Sequence, residues 1–419
     1  MKVIIVGAGI AGLSAAIGLR RAGHDVQIIE KSSMLHEVGA AINVCPNASR
    51  VLDTWGFSVK RARFVTAKTV IFASGETLEP FDRQDYAYLE KEYGAAFYFS
   101  HRVDLHNELR HLATREEGPG KPAEILERRE AVGYDPEGGV VKLLDGTTMK
   151  ADLIIGADGI HSKAVKSVVG YENPAVPVGI SCFRFLLPSQ EIFDDPETAG
   201  LMENHDGRGR SYVSSKDGHL RIIMYPCREN QVQNLVFTCP DSEKLNSSEG
   251  WNIPVDKSVM LEEMDGFHPS LEALLRKASD VKLWKLLFRA PLPSWHKSRV
   301  ALIGDAAHPM LPYQGQGGAQ AIEDGCALGL LFTNFSATDA TSISSRLDSF
   351  ENVRRNRASA MQMFSNAGQD EAEKIRESAL PYVKDGKVPS NPKEYTEYNF
   401  RHDVVKACEE ELRRIGEKN

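Results

Sequence analysis

Residues 2–30 leave few folds open to this chain. Lys2-Val-Ile-Ile-Val6 is a strand-length apolar run of the kind that fills a parallel sheet covered on both faces. It leads directly into Gly7-x-Gly9-x-x-Gly12 and a helical stretch that ends near Ala22. Gly7 allows a tight turn, Gly9 lets the backbone approach a pyrophosphate, and Gly12 lets helix and strand pack closely. The start of the helix offers unpaired N–H groups and a positive dipole end to phosphate. The next apolar run, Val26 to Glu30, closes on an acid at a strand end, where a carboxylate accepts hydrogen bonds from a ribose diol. The pattern predicts a βαβ dinucleotide-binding unit. Alone, it does not separate NAD from FAD.

Two more strand-plus-glycine motifs lie far downstream. Asp152-Leu-Ile-Ile-Gly156 runs into Ala157-Asp158-Gly159. Asp158 at that strand end can bond a cofactor or nearby backbone, although an isolated Asp-Gly after a strand reads as a turn. Val300-Ala-Leu-Ile303 runs into Gly304-Asp305-Ala-Ala-His308-Pro309, with Gly315, Gly317 and Gly318 ahead of a helix expected near Ala319. Asp305 falls at the carboxyl end of its strand, the edge where open α/β sheets bind ligands. Its carboxylate can hold sugar hydroxyls, and the helix dipole behind Gly318 can stabilise negative charge.

If the first and last motifs serve one ligand, the sequence between them contains an insertion. Residues 177–240 are rich in β-branched and aromatic residues and read as an antiparallel sheet. The expected fold class is therefore α/β: a discontinuous Rossmann-like nucleotide-binding domain, an inserted antiparallel sheet domain, and C-terminal helices. The nucleotide-binding parts are expected at 1–75, 101–176 and 276–335. Strands of the inserted domain are expected at 76–100 and 177–275, and helices at 336–419.

Composition excludes several functions. With 42% hydrophobic residues in 419, the chain can fill a core, and a net charge of −8 with no long basic run argues against a nucleic-acid partner. The longest apolar runs are strand-sized, so no transmembrane segment is expected. The first strand begins at Lys2, which leaves no room for a signal peptide and predicts a cytoplasmic protein. Cys45, Cys182, Cys227, Cys239, Cys326 and Cys408 form no Cys-x-x-Cys pair, which predicts reduced thiols and no metal site.

Candidate substrate residues lie in the inserted sheet. Arg184, in Ser181-Cys-Phe-Arg-Phe185, can hold a phenolate, carboxylate or ketone oxygen by charge-assisted bonds. Tyr212, Arg221 and Tyr225 follow on later strands, and Arg221, Ile223 and Tyr225 share a face by the period of two. A tyrosine there can relay a proton or bind a substrate hydroxyl. A packed sheet residue is the competing reading of each.

With these motifs in order, the chain resembles the group A flavoprotein monooxygenases of the para-hydroxybenzoate hydroxylase fold, and within them the salicylate-hydroxylase-like branch with its fungal members. His101-Arg102-x-Asp104-Leu105 and Met224-Tyr-Pro-Cys227 followed by Asn234-Leu-Val236 also match. The resemblance implies FAD as cofactor, with Glu30, Arg102, Asp305 and Gly318 binding it and Gly39 to Ala41 beside the flavin. It implies NAD(P)H as co-substrate, bound without a second Rossmann unit. It implies transfer of one oxygen from O2, through a C4a-hydroperoxyflavin, to a small electron-rich aromatic substrate in secondary metabolism or aromatic catabolism. Arg184 matches an arginine near the pocket of related hydroxylases, whereas Arg221 stands where a pocket histidine aligns in some members. Epoxidation, dearomatisation and decarboxylative hydroxylation remain alternative outcomes on the same fold, and a non-catalytic flavin-binding scaffold is the remaining rival. The oligomeric state is not legible.

Overall fold

The computed structural model describes residues 1–33, 41–242, 253–367 and 372–416. Its centre is a six-stranded sheet in the order His296–Lys297, Val300–Leu302, Leu153–Gly156, Lys2–Val6, Asp25–Ile29, Glu124–Leu126. All pairs are parallel except the one at the His296–Lys297 edge. Val3 to Val6, Leu153 to Ile155 and Val300 to Leu302 are buried, as a sheet covered on both faces requires. The three motif strands are direct neighbours, so their glycine-bearing turns emerge together at one sheet end.

The helices that follow the first and third motifs, Ile10–Arg21 and Gly317–Leu331, cross in backbone contact. A Cβ on Gly18 would lie 2.2 Å from the Gly325 carbonyl oxygen, one on Gly325 2.4 Å from Ser14 backbone, and one on Gly329 2.6 Å from the Gly18 Cα. This crossing joins segments three hundred residues apart. Glycine costs about 1 kcal/mol relative to alanine inside a helix, and here the close approach offsets that cost.

The second large sheet has eight strands: Ile253–Pro254, Lys282–Phe288, Val176–Pro188, Val232–Pro240, Arg221–Cys227, Arg208–Val213, Thr69–Ser74, Pro80–Asp85. It is antiparallel apart from the parallel pair Thr69–Ser74 and Arg208–Val213. Its outer face carries Phe183, Phe185, Ile222, Met224, Leu235 and Phe237, buried with Leu271, Leu274 and Leu275 of helix Pro269–Arg276. That helix starts cleanly because His268 Nδ1 accepts the Ser270 N–H at 3.2 Å and Pro269 needs no partner for a missing N–H.

The expected segment boundaries shift in three places. Thr69–Ser74 joins the eight-stranded sheet rather than the first nucleotide-binding segment. Lys282–Phe288 extends that sheet past residue 275. Tyr98–His101 pairs instead with Ala41–Val44 and Val65–Thr66 in a small separate sheet. The cause is the same each time: apolar periodicity marks a strand but does not name its partner, and these partners are distant in sequence. The helix after Gly318 begins at Gly317, and helices Ala340–Phe364, Pro392–Arg401 and Val404–Arg414 fill the C-terminal region.

Gly325→Ala should lower unfolding free energy by about 1–3 kcal/mol through overpacking at the crossing. Gly200→Ala, with open space around its Cβ position, should stay within about 0.5 kcal/mol of the parent. Urea denaturation of the two variants side by side checks the contrast. Equal midpoints would refute it.

Candidate active site

The fingerprint turn adopts the expected geometry. Gly7 has φ +103°, and its Cβ position is 2.5 Å from the Ala157 carbonyl oxygen, so the second motif packs directly beneath the first. A Cβ on Gly12 would lie 1.9 Å from the Gly7 oxygen. The Cβ position of Gly9 meets no heavy atom of the described residues within 4 Å. That face of the turn is open, as close approach of a pyrophosphate to the backbone demands. Glu30 bonds the backbone both of the fingerprint turn and of its own strand end. Its Oε2 accepts the Ala8 N–H at 2.8 Å, and its Oε1 accepts the Ser32 N–H at 2.9 Å. The turn is thereby tied to the acid, and the carboxylate retains lone pairs for a further donor.

Helix Arg102–Thr114 carries Arg102 at its first position. His101 caps it, its Nδ1 accepting the Val103 N–H at 3.2 Å. Burial, helped by Arg228, pushes the His101 pKa down to about 4, so the ring is neutral and able to accept. His106 Nε2 lies 2.7 Å from the Ala8 carbonyl oxygen and joins this helix to the fingerprint turn. Asp104 takes two bonds from Arg228, at 2.8 and 3.0 Å, which join it to the eight-stranded sheet.

Asp305 is exposed while residues 301–304 and 306–309 are buried. Solvent reaches the carboxylate, yet surrounding protein atoms desolvate it and push its pKa up against the pull of His308, Arg102 and Arg289. Both observations describe a group lining a cleft, and accessibility is the better guide to what a ligand can touch. Arg289 Nη2 donates to the Asp305 carbonyl oxygen at 2.8 Å and braces the turn. Asp158 lies close by in the second motif. Its Oδ2 accepts from Tyr134 and from the Lys163 N–H, burial raises its pKa, and its Oδ1 is buried with no partner among the described residues. Gly315, with φ +61°, and Gly318 bring the start of helix Gly317–Leu331 against strand Ala41–Val44, where their Cβ positions would touch Asn43 and Ile42. Gly39 lies outside the described residues.

Behind the third motif is a buried ionic network. Asp324 Oδ2 accepts the Gly304 N–H at 2.9 Å and His308 Nε2–H at 2.6 Å, while its Oδ1 accepts Arg354 Nε–H at 2.9 Å. Arg354 also donates to Glu323 and, at 2.8 Å, to Gln320 Oε1. Glu323 takes a bond from Asn47. Burial alone would raise both carboxyls. Arg354 and Arg357 outweigh it at Glu323, which is held down to about 2, and His308 with Arg354 outweighs it at Asp324. His402 lies 3.8 Å from Glu323 but is neutral, because burial drives its pKa down to about 3 in spite of that neighbour.

The inner face of the eight-stranded sheet turns toward strand Ala41–Val44. Arg184 Nη2 donates to the Ala41 carbonyl oxygen at 3.1 Å, and its guanidinium lies 5.3 Å from the Trp284 ring centroid. Arg184 Nε is buried without a partner among the described residues. Tyr225 is on the same face, stacked on Phe99 at 5.1 Å. Burial drives its phenol far above the usual range, so it stays protonated at neutral pH. Two candidates do not join them. Tyr212 pairs with Ile222, whose face is the outer one, and is buried there with Phe237. Arg221 shares the inner face but spends its guanidinium on the Gly218 carbonyl, bracing its own turn.

Asn234, read from the sequence only as part of the family resemblance, and His219 were not among the candidate site residues. Asn234 is fully buried, and its Oδ1 accepts the Ala41 N–H at 3.0 Å. The signal was a polar residue directly before the apolar run Leu235 to Phe237. His219 Nδ1 lies 3.4 Å from the Tyr313 hydroxyl, a contact between the sheet and the third motif loop that no local pattern foretells. Among the described residues no group of His, Cys, Asp and Glu is arranged to hold a metal, and no helix is long and apolar enough to cross a membrane.

A model of the family described as FAD binding domain matches residues 1–365. The FAD-dependent monooxygenase phomE' of Diaporthe leptostromiformis is 42% identical over 380 residues, 90% of this chain and 94% of that protein. Hispidin-3-hydroxylase of Neonothopanus nambi is 35% identical over 370 residues, covering 85% and 86%. A solved salicylate hydroxylase substrate complex superposes with TM-score 0.74 at 23% identity, covering 97% of each chain, which is a likeness of fold.

Arg354→Leu should cost about 3–5 kcal/mol, since it strands two buried carboxylates. A variant that unfolds in urea like the parent would contradict this. Acid should act through the same network. His402 has a folded pKa near 3 against an ordinary 6.5, and Glu323 one near 2 against 4.5. Between those values the folded protein binds fewer protons than the unfolded chain, so stability falls as pH is lowered. Melting temperatures should drop progressively from about pH 6.5 toward pH 2, and a flat profile would contradict the assignment.

Proposed function

The chain belongs to the FAD-binding-domain family and is a FAD-dependent monooxygenase of aromatic compounds; we propose that it hydroxylates a phenolic small molecule held on the inner face of the eight-stranded sheet, in the cytoplasm, with NAD(P)H as reductant and O2 as oxygen source. The residues present fit FAD. The open side of Gly9 and the start of helix Ile10–Arg21 would take the pyrophosphate, and Glu30 a ribose. Arg102 and the cleft-lining Asp305 would take further polar groups, and the N–H groups that open helix Gly317–Leu331 would face the ring. When bound, FAD supplies the redox and oxygen-activating chemistry.

The observation that carries the substrate reading is the buried, unspent Nε of Arg184 beside Trp284 and Tyr225. A guanidinium there favours the ionised form of a phenol and so raises its electron density at neutral pH. Trp284 confines the guanidinium, and the neutral Tyr225 hydroxyl can donate to a substrate oxygen but not serve as its base. Arg184 Nε and Tyr225 are both buried, which strengthens each of these interactions.

The purified protein should be yellow, and a panel of phenols and phenolic acids should contain compounds that accelerate NAD(P)H oxidation and gain one oxygen by mass. A protein that takes up no flavin would sink the proposal. Glu30→Ala and Asp305→Ala should each weaken FAD binding by about 1.5–3 kcal/mol, read from flavin retained on dilution. Arg184→Ala should stay yellow and be reduced, yet release hydrogen peroxide in place of most product. Parental coupling in that variant would demote Arg184 to a structural residue.

A further inference from the structure

Both polar groups of one peptide residue, Ala41, are taken by side chains of the eight-stranded sheet. Asn234 Oδ1 accepts its N–H at 3.0 Å, and Arg184 Nη2 donates to its carbonyl oxygen at 3.1 Å. Asn234 and Arg184 lie on neighbouring strands, where Leu186 faces Asn234 and Arg184 faces Val236. Asn234 is fully buried, with Leu186 and Tyr225 opposite it on the flanking strands, where a polar side chain is costly unless it has a bond to make. The grip continues along the strand that Ala41 opens. Ile42 packs on Gly318, and Asn43 lies against Gly315, at the start of the helix assigned to the flavin ring.

We propose that Asn234 is a positioning residue for oxygen transfer: with Arg184 it clamps Ala41, and through strand Ala41–Val44 it sets the spacing between the substrate sheet and the start of helix Gly317–Leu331. The inference rests on the monooxygenase reading for its catalytic consequence, but the clamp is a property of the chain without cofactor. Arg184 then serves two partners, the Ala41 carbonyl through Nη2 and a substrate oxygen through Nε. Asn234 keeps the strand in register while it does so.

The test compares Asn234→Leu with Asn234→Asp, which retains an oxygen acceptor for the Ala41 N–H. Hydrogen exchange of the peptide spanning residues 41–44 is read in the flavin-free protein, and product formed per NAD(P)H oxidised is read in the loaded protein with the phenol the parent turns over fastest. In Asn234→Leu exchange of that peptide should rise about tenfold and product per NAD(P)H should fall severalfold. Asn234→Asp should return both toward the parent. A leucine variant that exchanges and couples like the parent overturns the clamp. So does an aspartate variant that fails to recover, because the amide N–H2 and not the acceptor would then be the working group. If Asn234→Leu does not fold, recovery in Asn234→Asp, and its loss in Asn234→Ser, decide the same point. A parent that binds no flavin defeats the functional reading yet leaves the exchange result standing, so the two failures are told apart.

Discussion

The guanidinium of Arg354 is the interaction on which the cofactor-facing half of this molecule depends. It is wholly buried on helix Ala340–Phe364, and it neutralises Glu323 and Asp324 on the helix that follows the third motif. Asp324 is thereby free to hold the Gly304 N–H and His308, and so to shape the turn that presents Asp305. Remove the positive charge and two adjacent carboxylates would share a dry site, which no fold tolerates cheaply. The long C-terminal helix thus shapes the third motif turn through Arg354, and bonds its loop through the Phe364 carbonyl.

Asp305 also depends on the helix crossing. The third motif turn leans on the fingerprint helix, where a Cβ on Gly304 would lie 2.6 Å from the Ala11 side chain. Glycines at 18, 325 and 329 let the two helices approach to backbone contact, and that approach sets the Gly304 turn against Ala11 of the fingerprint helix.

The parallel strands and their glycine turns were legible because each carries its own signal. A doubly buried strand is apolar throughout, and a turn with a forbidden Cβ must be glycine. What could not be read was pairing. Period two correctly groups Arg221, Ile223 and Tyr225, but Tyr212 lies on another strand, and only the register Tyr212 with Ile222 reveals that it points outward. Thr69–Ser74 looked like a continuation of its neighbours until its parallel partner, Arg208–Val213, came from the far side of the chain. Asn234 gave a faint signal, since its partner is a backbone amide, and a backbone amide has no signature in sequence.

The strand order also governs how the chain must be made. Lys2–Val6 acquires its neighbour on one side almost at once, from Asp25–Ile29, but its other edge waits for Leu153–Gly156, and that strand in turn waits for Val300–Leu302. On the ribosome the first strand therefore emerges with an edge of unpaired N–H and C=O groups that stays open while more than a hundred further residues are synthesised. Such an edge pairs with any strand it meets. The distant pairing that unites the three motifs in the finished enzyme leaves the central sheet open until the last third of the chain is made.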